Sequence, residues 1–142
     1  MSSKPDTAGF SFREKSLVVT VVANVAVYAY YFWRAFSIGE DNPELVAALF
    51  MRTVVLLVLV MVASHSVLAV VHRPERVDER DRVIAMRGTH IGYYVLASGA
   101  FCALVVAATG RTFWTAHAIL AALVLAEIAK DASRLVYYRR GA

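Results

Sequence analysis

The stretch LVAALFMRTVVLLVLVMVAS, residues 45–64, decides the fold class, because it runs for 20 residues with Arg52 as its single charge. About 20 apolar residues in an α-helix cross the roughly 30 Å hydrocarbon core of a bilayer. The apolar block continues to His72, and it follows Asn42–Pro43, where proline suits the first turn of a helix. The sequence therefore predicts a membrane-spanning helix over residues 44–72.

Three further segments have the same apolar character and length, and they predict spans over residues 16–36, 90–109 and 112–138. Backbone groups in lipid must be hydrogen-bonded within the chain, and blocks this long form helices rather than the shorter strands of a barrel. No small-residue cleavage site follows the first block, so we expect it to remain as a span. The predicted fold is one domain over residues 1–142, an all-α integral membrane four-helix bundle.

Composition and charge agree with this fold and predict its orientation. Hydrophobic residues make up 59% of the 142 residues and charged residues 18%, against about 45–50% and about 25% in soluble domains. Of the 15 lysines and arginines, 12 fall on one predicted side of the membrane. The positive-inside rule then places both termini and the loop 73–89 in the cytoplasm, which predicts an N-in/C-in orientation. Because the basic excess serves orientation, we expect no direct contact with nucleic acid.

Residues 75–88, ERVDERDRVIAMRG, form the most distinctive polar segment. Asp78 suits a helix N-cap and can pair with Arg82 one turn later, which predicts a short amphipathic cytoplasmic helix between spans two and three. This helix is either simply solvated or a docking surface. Its mixed charges favour a protein partner over anionic lipid or nucleic acid, which would favour one sign. The expected partner-binding residues are Asp78, Glu79, Arg80, Asp81, Arg82 and Arg87.

Polar side chains inside the spans are the second set of candidates, because an ionisable group at a span centre costs about 2.5–3.5 kcal/mol. Glu127 and Asp131 share one stripe of the fourth span with Lys130 and Arg134. Either the helix outlasts the membrane and these charges are solvated, or Glu127 faces the bundle interior. The second option, with Asp131, predicts the polar path of a small oligomeric transporter or channel. Asn24 is expected to bond a neighbouring helix.

Three histidines suggest a third function. His65 and His72 lie seven residues apart on one face of span two, and His90 begins span three at a similar depth. With a carboxylate they could bind a divalent metal or haem in a redox component. No pair of them has the i,i+3 or i,i+4 spacing that puts two ligands on one metal from one helix, so we expect no cofactor.

The remaining expectations concern packing. Gly99, Ala103 and Ala107 recur every fourth residue and predict a close helix–helix contact, within one bundle or between copies in a homo-oligomer. The single cysteine, Cys102, excludes an internal disulfide and is expected to be buried. His117 is expected to pack beside Trp114 at the membrane interface.

The sequence Asp78-Glu79-Arg80-Asp81, followed by Arg87-Gly88 and by Ile91-Gly92-Tyr93-Tyr94, resembles a motif of a family of small bacterial inner-membrane proteins with four spans and unknown function. The resemblance covers residues 76–96 more specifically and the whole chain loosely. It implies the four-span topology and a location in a bacterial inner membrane. Some members are encoded beside small helix-turn-helix regulators, which implies a regulatory partner. The family brings no catalytic residue, so the resemblance favours a non-enzymatic regulatory, sensory or accessory protein.

Overall fold

Four long α-helices make up the protein in a computed structural model that describes residues 12–71 and 78–140, with side chains for residues 14–67, 70 and 78–140. The helices are α1 (Phe12–Ile38), α2 (Pro43–Val71), α3 (Glu79–Ala107) and α4 (Thr112–Arg140). Each is long and apolar enough to cross a membrane. The prediction of an all-α chain with four helices of spanning length is confirmed, and residues 72–77 lie outside the described residues.

Two short turns at the same end of the molecule reverse the chain, and we call this end the turn end. Gly39 follows α1 with φ 76°, and Gly110 precedes α4 with φ 72°, a left-handed conformation that glycine adopts without steric cost. The N–H groups of these glycines bond the carbonyls of Ala35 and Ala107, each at 3.0 Å. We call the opposite end, where α3 begins and α4 ends, the terminal end.

The amphipathic segment does not form a helix of its own. Residues 79–107 are one uninterrupted helix, so the described part of the segment is the first turns of α3. The third helix therefore begins at Glu79 rather than His90, because Asp78 caps it and no helix-breaking residue follows. Gly88 is tolerated inside the helix because it faces α4, where a side chain would have no room.

Helix packing follows the order α2–α1–α4–α3. The most extensive contact joins α3 to α4, and α1 packs on both α2 and α4. Glycines allow the close approach of α3 to α4: a Cβ atom built on Gly99 would lie 2.5 Å from Ala122 Cβ, and one built on Gly92 would lie 3.0 Å from the Ala126 carbonyl oxygen and from Lys130 Cβ. The predicted small-residue contact is thus confirmed at Gly99.

The buried stripe of α3 extends toward the terminal end rather than toward the turn. Ala103 is 3% exposed and Gly88 and Gly92 are buried, whereas Ala107 is exposed. Ala107 lies in the last turn of α3, where the chain leaves the helix, so within one chain it is not buried in the contact with α4. Small residues along this stripe let the backbones approach, as they do in membrane helices generally.

Large apolar side chains cover the outside of the molecule, including Leu59, Phe101 and Leu104, which are each more than 60% exposed. Such a surface suits contact with lipid, which covers apolar side chains without the cost that water imposes. Cys102 belongs to this outer surface, so its predicted burial is wrong. It falls beside, and not on, the stripe of α3 that packs against α4.

Candidate functional site at the terminal end of α3 and α4

Two of the predicted partner-binding acids hold the start of α3. Asp78 is the N-cap, and its carboxylate accepts a hydrogen bond from the Glu79 N–H at 2.6 Å. The Asp81 carboxylate reaches back and accepts the Asp78 N–H at 2.7 Å, which completes a capping box. Together they satisfy N–H groups that a helix start otherwise leaves without partners. Asp78 and Asp81 therefore have a structural role in fixing where α3 begins.

Two tyrosines near the end of α4 contact the same turns of α3. The Tyr138 hydroxyl donates to Asp81 Oδ1 at 3.0 Å, so one carboxylate serves the cap and the contact with α4. The Arg87 guanidinium carbon lies 5.6 Å from the centre of the Tyr137 ring, within the range of a cation–π interaction. A hydrogen bond and a cation–π interaction therefore hold the first turns of α3 against the last turn of α4.

Arg134 makes the main polar contact between the two helices. Its Nη2 donates to the Ala85 carbonyl at 3.2 Å and to Thr89 Oγ1 at 3.1 Å, and its Nη1 lies 3.5 Å from an Asp131 carboxylate oxygen. The missing side chain of Gly88 gives the arginine its space, since a Cβ there would lie 2.5 Å from Arg134 Cγ. The glycine of the Arg87-Gly88 motif thus admits a charged side chain between the helices.

The two acids of the α4 stripe have different environments. The side chain of Glu127 is 59% exposed and pairs with Lys130, so the interpretation that Glu127 faces the interior is wrong. Asp131 is 6% exposed, so full solvation of the stripe is also wrong. The buried carboxylate bonds Arg134 instead of lining an open path. The geometry therefore lends no support to a polar conduit through Glu127 and Asp131.

Other residues of the segment point away from α4. Glu79, Arg80 and Arg82 are exposed, and the apolar side chains of Val83 and Met86 are 38% and 56% exposed. We call these five residues the α3 outer surface. Ile84, in contrast, is 1% exposed and lies on the packed side of the helix. The structure thus separates the predicted partner-binding residues into a packed group and an outward group.

Of the three histidines proposed as metal ligands, the structure describes His65 and His90, and it places neither of them in a cluster that could hold a metal. His65 Nδ1 lies 2.9 Å from the Met61 carbonyl and must donate to it, which leaves Nε2 to accept from Ser16 Oγ at 3.1 Å. His90 is exposed on α3, and His72 lies outside the described residues. Within residues 12–71 and 78–140, no group of three His, Cys, Asp or Glu side chains is placed to hold a metal. Asn24 is half-buried on α1.

A second histidine has a buried partner at the turn end. His117 is 6% exposed, and its Nδ1 donates to the Phe113 carbonyl at 2.8 Å. Its Nε2 accepts a hydrogen bond from the Tyr31 hydroxyl of α1 at 3.2 Å. The imidazole packs against four aromatic rings, those of Tyr31, Phe32, Phe36 and Phe113. His117 therefore packs among aromatic rings as expected, but the ring closest to it is Phe113, at 4.2 Å between ring centres, and not the predicted Trp114.

A groove of about 850 Å³ opens beside this pair, between α2 and α4. Apolar side chains from both helices line its walls, while Glu40 and Arg111 line it at the two turns. Sequence reasoning missed this groove. The groove exists because α1 packs between α2 and α4. The order in which helices pack is not encoded in the local sequence pattern of any one of them.

The fold and these sites define a class, an all-α protein with four helices that can span a membrane. Comparisons with family models, with curated proteins and with solved structures give no match.

Proposed function

We propose that this protein is a non-enzymatic regulatory or accessory membrane protein that docks a cytoplasmic partner protein through residues 75–88. Residues 75–77 lie outside the described residues, so the proposal is argued from the α3 outer surface. The observation that carries it is the exposure of Glu79, Arg82 and Met86 on a helix that is fastened to α4 by its other side. We infer an N-in/C-in orientation in a bacterial inner membrane, which puts this surface in the cytoplasm.

Rigidity supports a role in binding. Ordering a flexible segment on association costs about 0.5–1.5 kcal/mol for each immobilised long side chain, in addition to the cost of ordering the backbone. The capping box, the Tyr138–Asp81 bond and the Arg134 contacts already order the backbone of these turns. A partner would therefore meet a preformed helical surface.

The chemistry of the surface favours a protein as the partner. The outer surface carries charges of both signs, one acid (Glu79) and two arginines (Arg80 and Arg82), beside the exposed apolar side chains of Val83 and Met86. Protein interfaces commonly combine an apolar core with a polar rim, whereas anionic lipid and nucleic acid select surfaces of one sign. The family resemblance suggests a helix-turn-helix regulator as that partner.

Site-specific photo-crosslinking in intact membranes tests the proposal. A photoreactive amino acid at Arg82 or Met86 is expected to give a discrete protein adduct, and the same amino acid at Phe101, an exposed site farther along α3, is the matched control. Adding Glu79→Arg to the Met86 probe should remove most of the adduct. Asp78 and Asp81 are left unchanged because their loss would disturb the helix start. Equal adduct yields at residues 82, 86 and 101 would refute the proposal.

A further inference from the structure

We propose that the groove between α2 and α4 binds one phospholipid with a zwitterionic headgroup, whose phosphate contacts Arg111 and whose ammonium contacts Glu40. This site is separate from the α3 outer surface and does not depend on the proposed docking function. The inference rests on the size of the groove, on the distribution of polar groups along it and on the charges at its rim.

The size and depth of the groove suit a membrane lipid. Its volume of about 850 Å³ lies within the range of roughly 300–1,000 Å³ that is typical of small-molecule sites. Along α4 its lining runs from Thr112 to Leu123. At 1.5 Å of rise per residue this is about 16 Å, close to half of the roughly 30 Å hydrocarbon core. The groove therefore has the depth of one leaflet.

The walls of the groove are apolar and match an acyl chain. Val46 and Phe50 of α2 and Leu120 and Leu123 of α4 are among the apolar residues that line the groove. Tyr31 and His117 are the polar residues of its inner part, and they already bond each other. The remaining His117 nitrogen is occupied by the Phe113 carbonyl. The polar groups of the inner groove therefore already have hydrogen-bond partners within the protein. A hydrocarbon chain fits such a lining better than a polar solute does.

The rim carries one charge of each sign. Glu40 comes from the α1–α2 turn and Arg111 from the α3–α4 turn, and both are exposed and line the same groove. Neither side chain forms a salt bridge with another described residue. A guanidinium binds phosphate oxygens well, and a carboxylate accepts hydrogen bonds from a primary ammonium. An anionic headgroup would satisfy Arg111 but would be repelled by Glu40.

Native mass spectrometry of the purified protein in mild detergent tests the site. The probes are phosphatidylethanolamine and phosphatidylglycerol with identical acyl chains, added in competition. We expect one tightly held phosphatidylethanolamine per chain, preferred over phosphatidylglycerol by about tenfold, the effect of one charged hydrogen bond. Equal binding of the two lipids, or a preference for phosphatidylglycerol, would overturn the proposal.

Charge variants assign the headgroup contacts. Glu40→Gln should abolish the preference for phosphatidylethanolamine, and Arg111→Gln should weaken both lipids by about tenfold. Asp41→Asn and Arg34→Gln are matched controls, because these exposed charges are near the same end but do not line the groove. The same loss in a control variant as in its partner would show a general charge effect and refute the assignment.

A filling variant tests the groove itself. Ala116 lines the groove, so Ala116→Leu should reduce binding of both lipids severalfold, whereas Ala100→Leu on the exposed side of α3 should leave it unchanged. Thermal melting of each variant establishes that it is folded. Undiminished binding to folded Ala116→Leu would mean that the lipid is a non-specific boundary lipid, and the groove site would be rejected.

Discussion

Gly99→Ala tests the closest approach between α3 and α4. A Cβ at residue 99 would lie 2.5 Å from Ala122 Cβ, whereas carbon atoms in favourable contact lie about 3.5–4.0 Å apart. The helices must therefore separate by about 1 Å or more at this level. Overpacking of this kind lowers the free energy of unfolding by about 1–3 kcal/mol. The higher helix propensity of alanine raises the free energy of unfolding by about 0.5–1 kcal/mol. We expect a net loss of up to about 2.5 kcal/mol, and of about 1 kcal/mol at the middle of these ranges, in the free energy of unfolding.

The compensating change is Ala122→Gly, which removes the atom that the new methyl group meets. After this exchange the nearest remaining atom is the residue 122 Cα at 3.1 Å, so a shift of a few tenths of an ångström suffices. Ala122→Gly alone should cost about 0.5–1 kcal/mol through helix propensity. The double variant should be clearly more stable than the sum of the single changes, with a coupling of about 1–2 kcal/mol.

Unfolding in detergent micelles with increasing dodecyl sulfate, followed by circular dichroism, measures the four free energies of this cycle. Ala100→Val, which adds bulk on the exposed side of α3, is the control and should lie within about 0.5 kcal/mol of the unmodified protein. Additive effects of the two single changes would refute the argument, because they would mean that residues 99 and 122 do not compete for the same space.

Three further substitutions follow from the polar contacts. Tyr31→Phe should cost about 1–3 kcal/mol because a buried imidazole nitrogen loses its donor, whereas Tyr30→Phe, at an exposed ring, should be neutral in the same unfolding assay. Asp131→Asn should lower stability by about 1–3 kcal/mol, and the exposed Glu127→Gln by less than about 0.5 kcal/mol; equal effects would contradict the burial of Asp131. Asp81→Ala should cost about 0.5–2 kcal/mol and increase amide hydrogen exchange at the start of α3; unchanged exchange there would count against the capping box.

Local signals in the sequence predicted most of the helix ends. Pro43 begins α2 as predicted, and Asp78 is a helix N-cap as predicted, although the helix that it caps is α3 itself and not a separate short one. The start of the third helix was predicted too late in the chain. The apolar pattern begins only near His90, whereas the helix already begins at Glu79. Hydrophobicity indicates where a helix can be in lipid, but capping and propensity decide where it begins.

The environment of the α4 acids could not be predicted in the same way. Glu127 and Asp131 are one turn apart on the same stripe of α4. A modest rotation of α4 about its own axis would therefore bury Glu127 and expose Asp131. That rotation is set by α3, whose glycines receive Ala122, Ala126 and the stem of Lys130. The sequence of α4 alone contains no information about this contact. The groove poses the same difficulty, because it depends on three helices at once.

The glycines of α3 explain why a buried charge is tolerated in so small a protein. At Gly99 the missing side chain admits a methyl group, and the backbones approach closely. At Gly88 it admits the stem of Arg134, whose guanidinium then reaches the Ala85 carbonyl and Thr89 of α3. A charged side chain placed against a larger residue would be held away from these acceptors, and Asp131 would lose the ordered partner beside it. The same small-residue stripe therefore provides both the tight packing of α3 on α4 and the polar contact that orders the terminal end.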